Sequence, residues 1–442
     1  MIRLALSLAL LALLTACPKK TTIMDAGVED AGVDAGVDAG WLRGMDPPTG
    51  WSVIEELPST AMLKTRLGVS VSSAPDQHGH PLVAYLEDDP NGDDFRQDTR
   101  LLFTRWNGSV PEWTQPKQVE VVGEIDVEGP HRQVSVARDS TTGRIAIAYV
   151  RFIDNVIRYA WSDDEGANFS IQNVSPVGGV AAVSNPSLVM HGGITELAYV
   201  QGNELVFRRR GTDGTTWTEE KAPGAMALQY PVSVAVDQDG MPGVAFFQDR
   251  LGGLAELVFW RPGAGSVSTI ATSGAVDVAQ PDRRPSVSLV FVGKTPHVAF
   301  HLRNEEPAVM NDQTPEVFYA KASDGLGAAW TTPVAMPRNG NGVTFHSTRH
   351  FQGLTVEASG RTRVAANFAA NGALTMCGGP KLARSDDGVT FTTCAPTSSP
   401  VQFGGEWLSL WQHAPGKLTL IFHYDNRANA SLKPGVVMWR EP

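Results

Sequence analysis

One pattern of residues returns seven times between Leu67 and the end of this 442-residue chain. Each copy reads as an alternating strand, a turn with Gly or Pro, a second strand, a variable loop and a third strand. In most copies a Gly-rich turn and an aromatic residue follow. The alanine of the second strand recurs every 47 to 66 residues through six copies, and such repeats of four short strands are typical of propeller blades. The seven second strands are Leu82–Tyr85, Ala146–Tyr149, Glu196–Tyr199, Gly243–Phe246, His297–Phe300, Arg363–Ala366 and Thr419–Phe422.

The first strands of the copies alternate between apolar and small residues, as in Val69–Ser72, Val134–Ala137 and Val232–Ala235. This period of two is that of a half-buried strand. The 44 Gly and 29 Pro residues, with 19% charged residues, fit many strands joined by turns. We therefore predict an all-β fold, a single β-propeller over 50–442 with seven four-stranded blades. Six blades are the alternative count.

The last copy ends at Trp439–Pro442, before any fourth strand. The segment Gly50–Pro58 resembles the fourth strands that begin at Trp217 and Trp330 in other copies. We predict that this N-terminal strand completes the last blade and closes the ring. Closure would remove two exposed sheet edges, which otherwise promote aggregation.

The N-terminus predicts export. Arg3 gives the chain a positive start, and Leu4–Leu14 is an almost unbroken apolar run that is too short to span a bilayer as a helix. Leu14–Cys17 (Leu-Thr-Ala-Cys) then resembles the bacterial lipoprotein box, in which the cysteine is lipidated. We predict a lipoprotein signal peptide over 1–16, lipid attachment at Cys17, and an exported protein anchored in the bacterial cell envelope, at the outer membrane or its periplasmic face. An ordinary signal peptide with a chance cysteine is the alternative.

An acidic, low-complexity segment follows. Residues 24–40 repeat Asp-Ala-Gly and hold five acidic residues and no basic one. Such a segment has no apolar face to bury and stays disordered, so we predict a disordered tether over 17–49. The formal net charge of −11 argues against a nucleic-acid partner, which requires a basic surface. We expect a monomer whose partners are the membrane, through the lipid, and a glycan or protein ligand.

The two remaining cysteines, Cys377 and Cys394, bracket a predicted hairpin. An exported protein folds in a compartment that permits disulfides, so we predict that they form a bridge. Two free buried thiols are the alternative.

The turn after the third strand of the second copy carries a more specific motif. Ser162–Phe169 matches the pattern S-x-D-x-G-x-x-W/F, with Ser162, Asp164, Gly166 and Phe169 at its fixed positions. The aspartate is expected to cap backbone N–H groups of the turn, and the glycine to supply a positive φ. The aromatic residue is expected to pack across the hairpin.

The sixth copy keeps the core of this motif with Asp386, Gly388 and Phe391, and Arg384 stands where the serine belongs. These turns resemble the Asp boxes of the sialidase-like, or BNR-repeat, propellers. The resemblance covers about 50–442 as a repeat pattern and implies the propeller fold.

Sialidases of that family hold the substrate carboxylate with three arginines, and they use a tyrosine nucleophile with a glutamate partner and an aspartate acid/base. The first arginine lies in an Arg-Ile-Pro motif that opens the first blade. This chain has Arg66–Gly68 (Arg-Leu-Gly) at that point. The segment most similar to the Arg-Ile-Pro motif is Arg283–Pro285 (Arg-Arg-Pro), in the fifth copy. We therefore predict no catalytic residues and favour a protein that is not an enzyme.

Propeller ligands normally bind on the face made by the loops after the second strands and the loops between blades. Two or three arginines that converge there could grip a carboxylate or a sulfate, and a tyrosine could serve as nucleophile in an enzymatic version. Arginines scattered over the surface are the alternative. The candidate residues of this ligand face are Arg132, Arg151, Arg284, Arg303, Arg349, Arg427, Tyr230 and Tyr424.

One loop of this face holds four carboxylates around a Pro-Asn-Gly turn. Dense oxygen ligands are what Ca²⁺ prefers, although a solvated acidic loop without a cofactor is the interpretation that we favour. These carboxylates are Asp88, Asp89, Asp93 and Asp94.

Three functions follow from these patterns. We favour a cell-envelope lipoprotein whose non-enzymatic propeller binds glycan or protein ligands on its loop-rich face. The second is a divergent glycoside hydrolase of sialidase type, which requires three of the arginines to converge beside a tyrosine and an acidic residue. The third is a purely structural envelope module.

Overall fold

A computed structural model describes the chain in sixteen segments, all within the compact unit Arg43–Pro442. The predicted signal peptide, the predicted lipid-attachment residue Cys17 and the predicted tether lie outside them. The segments are 52–56, 67–87, 99–107, 113–123, 133–176, 182–212, 214, 216–224, 226–250, 254–275, 285–302, 316–336, 353–368, 379–393, 405–424 and 435–441.

These segments contain strands and turns and no helix, so the described chain is all-β. The strands are β1 Ser52–Glu56, β2 Leu67–Pro75, β3 Pro81–Glu87, β4 Arg100–Arg105, β5 Lys117–Val121, β6 Val134–Arg138, β7 Ile145–Arg151, β8 Val156–Ser162, β9 Ser170–Asn173, β10 Val183–His191, β11 Ile194–Gln201, β12 Glu204–Arg210, β13 Trp217–Lys221, β14 Ser233–Val236, β15 Pro242–Arg250, β16 Leu254–Trp260, β17 Ser268–Ala275, β18 Ser286–Val292, β19 Thr295–Leu302, β20 Glu316–Lys321, β21 Val334–Ala335, β22 Gly353–Val356, β23 Thr362–Phe368, β24 Gly379–Ser385, β25 Thr392–Thr393, β26 Gly405–Ala414, β27 Lys417–Tyr424 and β28 Gly435–Arg440.

The described strands form seven four-stranded antiparallel sheets, and six of them take four consecutive strands from β2 to β25. We number these sheets 1 to 6 in chain order. Sheet 7 has the order β26, β27, β28, β1, and in it β1 runs antiparallel to β28, with Ser52 opposite Arg440 and Glu56 opposite Val437.

The first strands of neighbouring sheets contact one another in series. Strand β2 contacts β6, β6 contacts β10, and the series continues through β14, β18 and β22 to β26, which contacts β2. Four-stranded antiparallel sheets that meet through their first strands are the architecture of a β-propeller.

Apolar side chains fill the spaces between consecutive sheets. Between sheets 1 and 2, for example, Leu82 and Phe103 pack with Ile147 and Tyr149 in one buried cluster. Corresponding clusters join sheets 2 and 3, 3 and 4, 4 and 5, and 5 and 6. Each fully buried aliphatic or aromatic side chain contributes about 1.5–3 kcal/mol, so these clusters hold the sheets together.

A serine of the first strand lies opposite the repeated alanine of the second strand in five sheets. In four of these sheets its hydroxyl oxygen accepts a hydrogen bond from a first-strand amide of the next sheet. The amide of Val136 donates to Ser72, that of Leu188 to Ser135, that of Val234 to Ser187 and that of Leu289 to Ser233, each at 3.0 Å. A first strand is the inner edge of its sheet, so these serines satisfy amides that no neighbouring strand can pair. The cross-strand pairs are Ser72–Ala84, Ser135–Ala148, Ser187–Ala198, Ser233–Ala245 and Ser288–Ala299.

Sheet 6 has Gly353 where the other first strands have serine, opposite Ala365. A Cβ atom at Gly353 would lie 2.3 Å from the Cβ of Leu410 in the next sheet. The glycine therefore permits direct approach of sheet 7 at this point.

The turn between β8 and β9 has the contacts expected of the motif at Ser162–Phe169. Asp164 Oδ1 accepts hydrogen bonds from the hydroxyl of Ser162 at 2.7 Å and from the amide of Asn168 at 2.9 Å. These donors hold the pKa of Asp164 down to about 2. Gly166 has a φ of +87°, and a Cβ atom there would lie 2.2 Å from the Phe103 ring. Phe169 packs edge-on against the same ring, with centroids 5.3 Å apart.

The corresponding turn of sheet 6 corrects the sequence prediction. Asp387, not Asp386, accepts from the hydroxyl of Ser385 at 2.8 Å and from the amides of Val389 and Thr390 at 2.8 and 2.7 Å. Ser385 therefore takes the serine position that we assigned to Arg384. Asp386 pairs with Arg361 at 2.9 Å instead.

Two other residues of this turn have the geometry that the motif requires. Gly388 has a φ of +71°, and Phe391 is buried with its ring 5.5 Å from that of Tyr319. The turn is one residue shorter between aspartate and aromatic than the copy at Ser162–Phe169, so the assignment shifts by one position.

Candidate functional site

Most of the predicted site residues lie outside the described part of the chain and remain predictions. For Tyr424 the structure gives the backbone, in β27, and not the side chain. The residues outside are Cys17, Asp88, Asp89, Asp93, Asp94, Arg132, Arg284, Arg303, Arg349, Cys377, Cys394 and Arg427.

Arg151, one of the predicted ligand-face arginines, is held by Asp154 of its own sheet and by Glu120 from β5 of sheet 1. Its Nη1 donates to Asp154 at 2.6 Å, and its Nε lies 3.4 Å from Glu120. Glu120 also accepts from Arg158 at 2.7 Å and from the hydroxyl of Tyr149. The positive charge of Arg151 is therefore already matched within the protein.

The pair formed by Tyr149 and Glu120 matches, in residue type, the nucleophile and partner of a sialidase. Tyr149 is fully buried, however, and burial followed by the hydrogen bond to Glu120 raises the pKa of its hydroxyl far above the ordinary value. A phenol that does not reach solvent and resists ionisation cannot attack a sugar. This cluster is therefore a structural network that joins sheets 1 and 2.

Tyr230 is also buried. Its side chain is 4% exposed and packs edge-on against Phe247, with ring centroids 6.1 Å apart. It belongs to the apolar cluster between sheets 4 and 5. The prediction that Tyr230 faces a ligand is therefore wrong.

A cavity of about 260 Å³ opens between sheets 1 and 2. Its walls come from the turns β2–β3 and β6–β7, the end of β4 and the turn β8–β9. These turns lie at the opposite ends of the strands from the loops that follow the second strands. The residues that line it are Asp76, Gln77, His78, His80, Leu82, Arg105, Trp106, Asn107, Arg138, Gly143, Ile145 and Glu165.

Two half-buried rings form the aromatic part of this cavity. His80 meets Trp106 edge-on, with centroids 4.8 Å apart and an interplanar angle of 87°. The guanidinium of Arg440, from β28, lies 5.0 Å from the centre of the Trp106 ring. The indole therefore stands between a histidine and a cation, with part of its surface exposed.

The turn that carries His80 is rigid. Asp76 Oδ1 accepts hydrogen bonds from the amides of His78 and His80 at 2.7 and 2.8 Å. Gly79 has a φ of +75°, and a Cβ atom there would lie 2.7 Å from the carbonyl oxygen of His413. The sequence Asp-Gln-His-Gly-His thus fixes two imidazole rings at the edge of the cavity.

The pKa of His80 is lowered from its ordinary value. Burial is the largest cause, and the charges of Arg440 and His78 add to it, while Asp76 opposes them. His80 is therefore neutral near pH 7, when one ring nitrogen donates a hydrogen bond and the other accepts one.

The charged groups of the cavity differ in their partners. Arg105 is paired with Glu165, whose side chain is 66% exposed. Arg138 donates to the amide oxygen of Gln77 at 3.2 Å. Planar donors and acceptors beside a half-buried indole can hydrogen-bond sugar hydroxyls while the accessible part of the ring covers an apolar sugar face.

Sequence reasoning missed this cavity because its residues come from three separate turns and the end of β4. The available signal was the first turn, Asp76–His80, whose two histidines have no counterpart in the corresponding turns of the other copies. Within the described segments, no group of three or more His, Cys, Asp or Glu side chains is placed to hold a metal ion. None of the described residues forms a helix long and apolar enough to cross a membrane.

Comparison with known proteins supports the fold. No protein-family model matches the chain, and no curated protein matches its sequence. Solved structures do resemble it. One is the BP39L lectin from Burkholderia pseudomallei, 14% identical, which covers 84% of this chain and 95% of the lectin with a TM-score of 0.51.

Another is an ulvan lyase of polysaccharide lyase family PL25 bound to -[GlcA(1-4)Rha3S]-. It is 10% identical and covers 89% of this chain and 95% of the lyase, with a TM-score of 0.54. The structures that this chain resembles are β-propeller lectins and propeller enzymes that act on glycans. At these identities the likeness establishes the propeller fold.

Proposed function

We propose that this chain is an exported, lipid-anchored envelope protein whose seven-bladed β-propeller binds a glycan without cleaving it. The seven blades are sheets 1 to 7, and the N-terminal strand β1 closes the ring as the fourth strand of the last blade. The pairing of β1 with β28 and the contact of β26 with β2 support this closure. The turns at Ser162–Phe169 and Ser385–Phe391 support a relation to the sialidase-like propellers, and the lipid at Cys17 would tether the domain.

The observation that carries glycan binding is the cavity between sheets 1 and 2. It combines a partly exposed indole, a neutral imidazole and several planar polar side chains within one small volume. Saccharides present both apolar ring faces and hydroxyl groups, so such a mixed lining suits them. The fold is also shared with a lectin and a glycan lyase, which makes a glycan the natural ligand class to test first.

Binding without cleavage rests on the state of the residues that a sialidase would need. Arg151 is neutralised by Glu120 and Asp154, and Tyr149 is buried with a raised pKa. The described part of this network therefore offers neither a free carboxylate clamp nor a nucleophile. The hydrogen bonds and ion pairs of this cluster support a role in stability.

A glycan array tests the proposal. The full-length chain, purified in detergent, is compared with Trp106→Ala and with the control Trp161→Ala. Trp161 is also half-buried beneath an arginine, with Arg210 4.5 Å from its ring, and it does not line the cavity. We expect the parent and the Trp161→Ala variant to bind the same glycans, and Trp106→Ala to bind at least tenfold more weakly.

Mass spectrometry of the glycan recovered after incubation then separates binding from turnover. We expect the glycan to be recovered intact. Shortened products would show that the protein is an enzyme. Equal loss of binding in both tryptophan variants would contradict the proposal that this cavity is the glycan-binding site.

A further inference from the structure

We infer that the cavity between sheets 1 and 2 is selective for an acidic saccharide, whose carboxylate or sulfate is held by Arg138. This inference rests on the proposed glycan-binding function. It adds that the ligand is anionic and names the residue that binds the anionic group.

The first argument is the partner of Arg138. Among the described residues no carboxylate lies within ion-pair distance of its guanidinium, and the hydrogen bond that it makes is to the neutral amide of Gln77 at 3.2 Å. Arg105, from sheet 1, has Glu165 as its partner. Arg144, which lies between the lining residues Gly143 and Ile145, pairs with Asp163 at 2.7 Å. Arg138 is thus a half-buried cation that faces the cavity with a neutral neighbour.

The second argument is the charge around the cavity. Arg105 and Arg138 line it and Arg440 borders it, against the carboxylates Asp76 and Glu165. The charges of the lining itself balance, two arginines against two carboxylates, and Arg440 adds one positive charge beside Trp106. Glu165 pairs with Arg105, and Asp76 accepts hydrogen bonds from backbone amides of its own turn. The positive charge left for an anionic ligand among the described lining residues is therefore that of Arg138.

The third argument is the chemistry of the guanidinium. Arginine donates two parallel hydrogen bonds to a carboxylate or a sulfate, and the bonds are stronger where water is partly excluded. Trp106 and His80 would cover the sugar ring while Arg138 contacts its anionic substituent. The saccharides that fit are uronic acids and sulfated sugars, which share an anion on a pyranose ring.

The test compares matched pairs of oligosaccharides that differ only in an acidic group, such as a glucuronate against the corresponding glucose, and a sulfated sugar against its unsulfated form. Binding constants are measured for the full-length chain in detergent, for Arg138→Gln and for Arg144→Gln. Arg144 lies near the same turn, pairs outward with Asp163 and does not line the cavity, so its substitution changes the net charge by the same amount. Thermal unfolding confirms that both variants are folded.

We expect the parent and Arg144→Gln to bind the acidic member of each pair at least tenfold more tightly, with affinity that falls as NaCl is raised. Arg138→Gln should lose this preference and keep its weaker binding of neutral sugars. The pair that differs in a carboxylate and the pair that differs in a sulfate show which of the two anionic groups Arg138 prefers.

Equal affinity for acidic and neutral members, with binding still lost in Trp106→Ala, would overturn the inference and leave the proposed function intact. A preference lost in Arg144→Gln and kept in Arg138→Gln would overturn the assignment to Arg138. Absence of binding to every saccharide would overturn the proposed function, and the inference with it.

Discussion

At the scale of single residues, the serines of the first strands explain why the repeat alternates valine with serine. Four of these serine oxygens accept a hydrogen bond from an amide of the next sheet that has no strand partner. The small alanine opposite the serine leaves room for the next sheet to come close. The sequence showed the alternation and the repeated alanine. It could not show that the serine bonds to another blade, because the partner lies 47 or more positions away in the chain.

Replacement of Ser187 by alanine tests this role. The variant leaves the buried amide of Val234 without its acceptor, and an unsatisfied buried donor costs about 1–3 kcal/mol. We expect the free energy of unfolding in urea to fall by that amount, and to stay within about 0.5 kcal/mol in the control Ser170→Ala, whose serine is exposed on β9. Equal stability of the two variants would contradict the role of the serine.

His297 gives the protein a predictable dependence of stability on pH. Burial, followed by the charge of Lys321, lowers its pKa from 6.5 to about 4, and its Nδ1 lies 2.6 Å from the hydroxyl of Tyr319. The unfolded chain binds the proton more readily than the folded chain. The stability that neutral His297 contributes is therefore present above pH 6.5 and is lost as the pH falls toward 4, by at most about 3 kcal/mol.

The variant His297→Gln removes this titration. We expect the free energy of unfolding to fall less steeply between pH 7 and pH 4.5 in the variant than in the parent chain, as measured by urea unfolding at a series of pH values. Identical slopes in the two proteins would show that His297 does not titrate as the burial of its ring requires.

At the scale of elements, the second strands fall where the repeated signature predicts them, because burial between two sheets dictates both their apolar residues and their small alanine. The turn at Ser385 was assigned one residue too early. Two aspartates stand side by side there, and only the three-dimensional turn decides which side chain reaches the amides of Val389 and Thr390.

A pair of substitutions separates these two aspartates. Asp387→Ala removes the acceptor for two backbone amides and for the hydroxyl of Ser385, whereas Asp386→Ala removes a surface ion pair with Arg361. We expect Asp387→Ala to lower the thermal unfolding midpoint clearly and Asp386→Ala to change it little. The reverse order, measured by circular dichroism, would restore the original assignment.

At the scale of the whole molecule, the propeller could be predicted because every blade needs the same sequence features. These are strands of alternating residues, turn residues between them and a small residue near the axis. The cavity could not, since its walls meet only after sheets 1 and 2 pack and sheet 7 brings Arg440 against Trp106. The positions of charged and aromatic residues along the chain do not show that these residues of sheets 1, 2 and 7 lie close together.

The proposed closure of the ring by the N-terminal strand predicts the effect of two truncations. A chain that begins at residue 57 lacks β1 and exposes the edge of β28, whereas a chain that begins at residue 50 lacks the predicted tether and keeps β1. We expect the shorter chain to melt at lower temperature and to associate through its free edge, and the longer one to behave like the parent. Light scattering and thermal unfolding measure both, and equal behaviour of the two truncations would show that β1 does not close the ring.

The most direct test of glycan binding in this cavity is a crystal structure of the full-length chain with the tightest-binding saccharide from the array. We predict an intact sugar against Trp106 and His80, between sheets 1 and 2, with its anionic group on Arg138. A sugar held instead by the loops after the second strands, or found cleaved, would contradict the account.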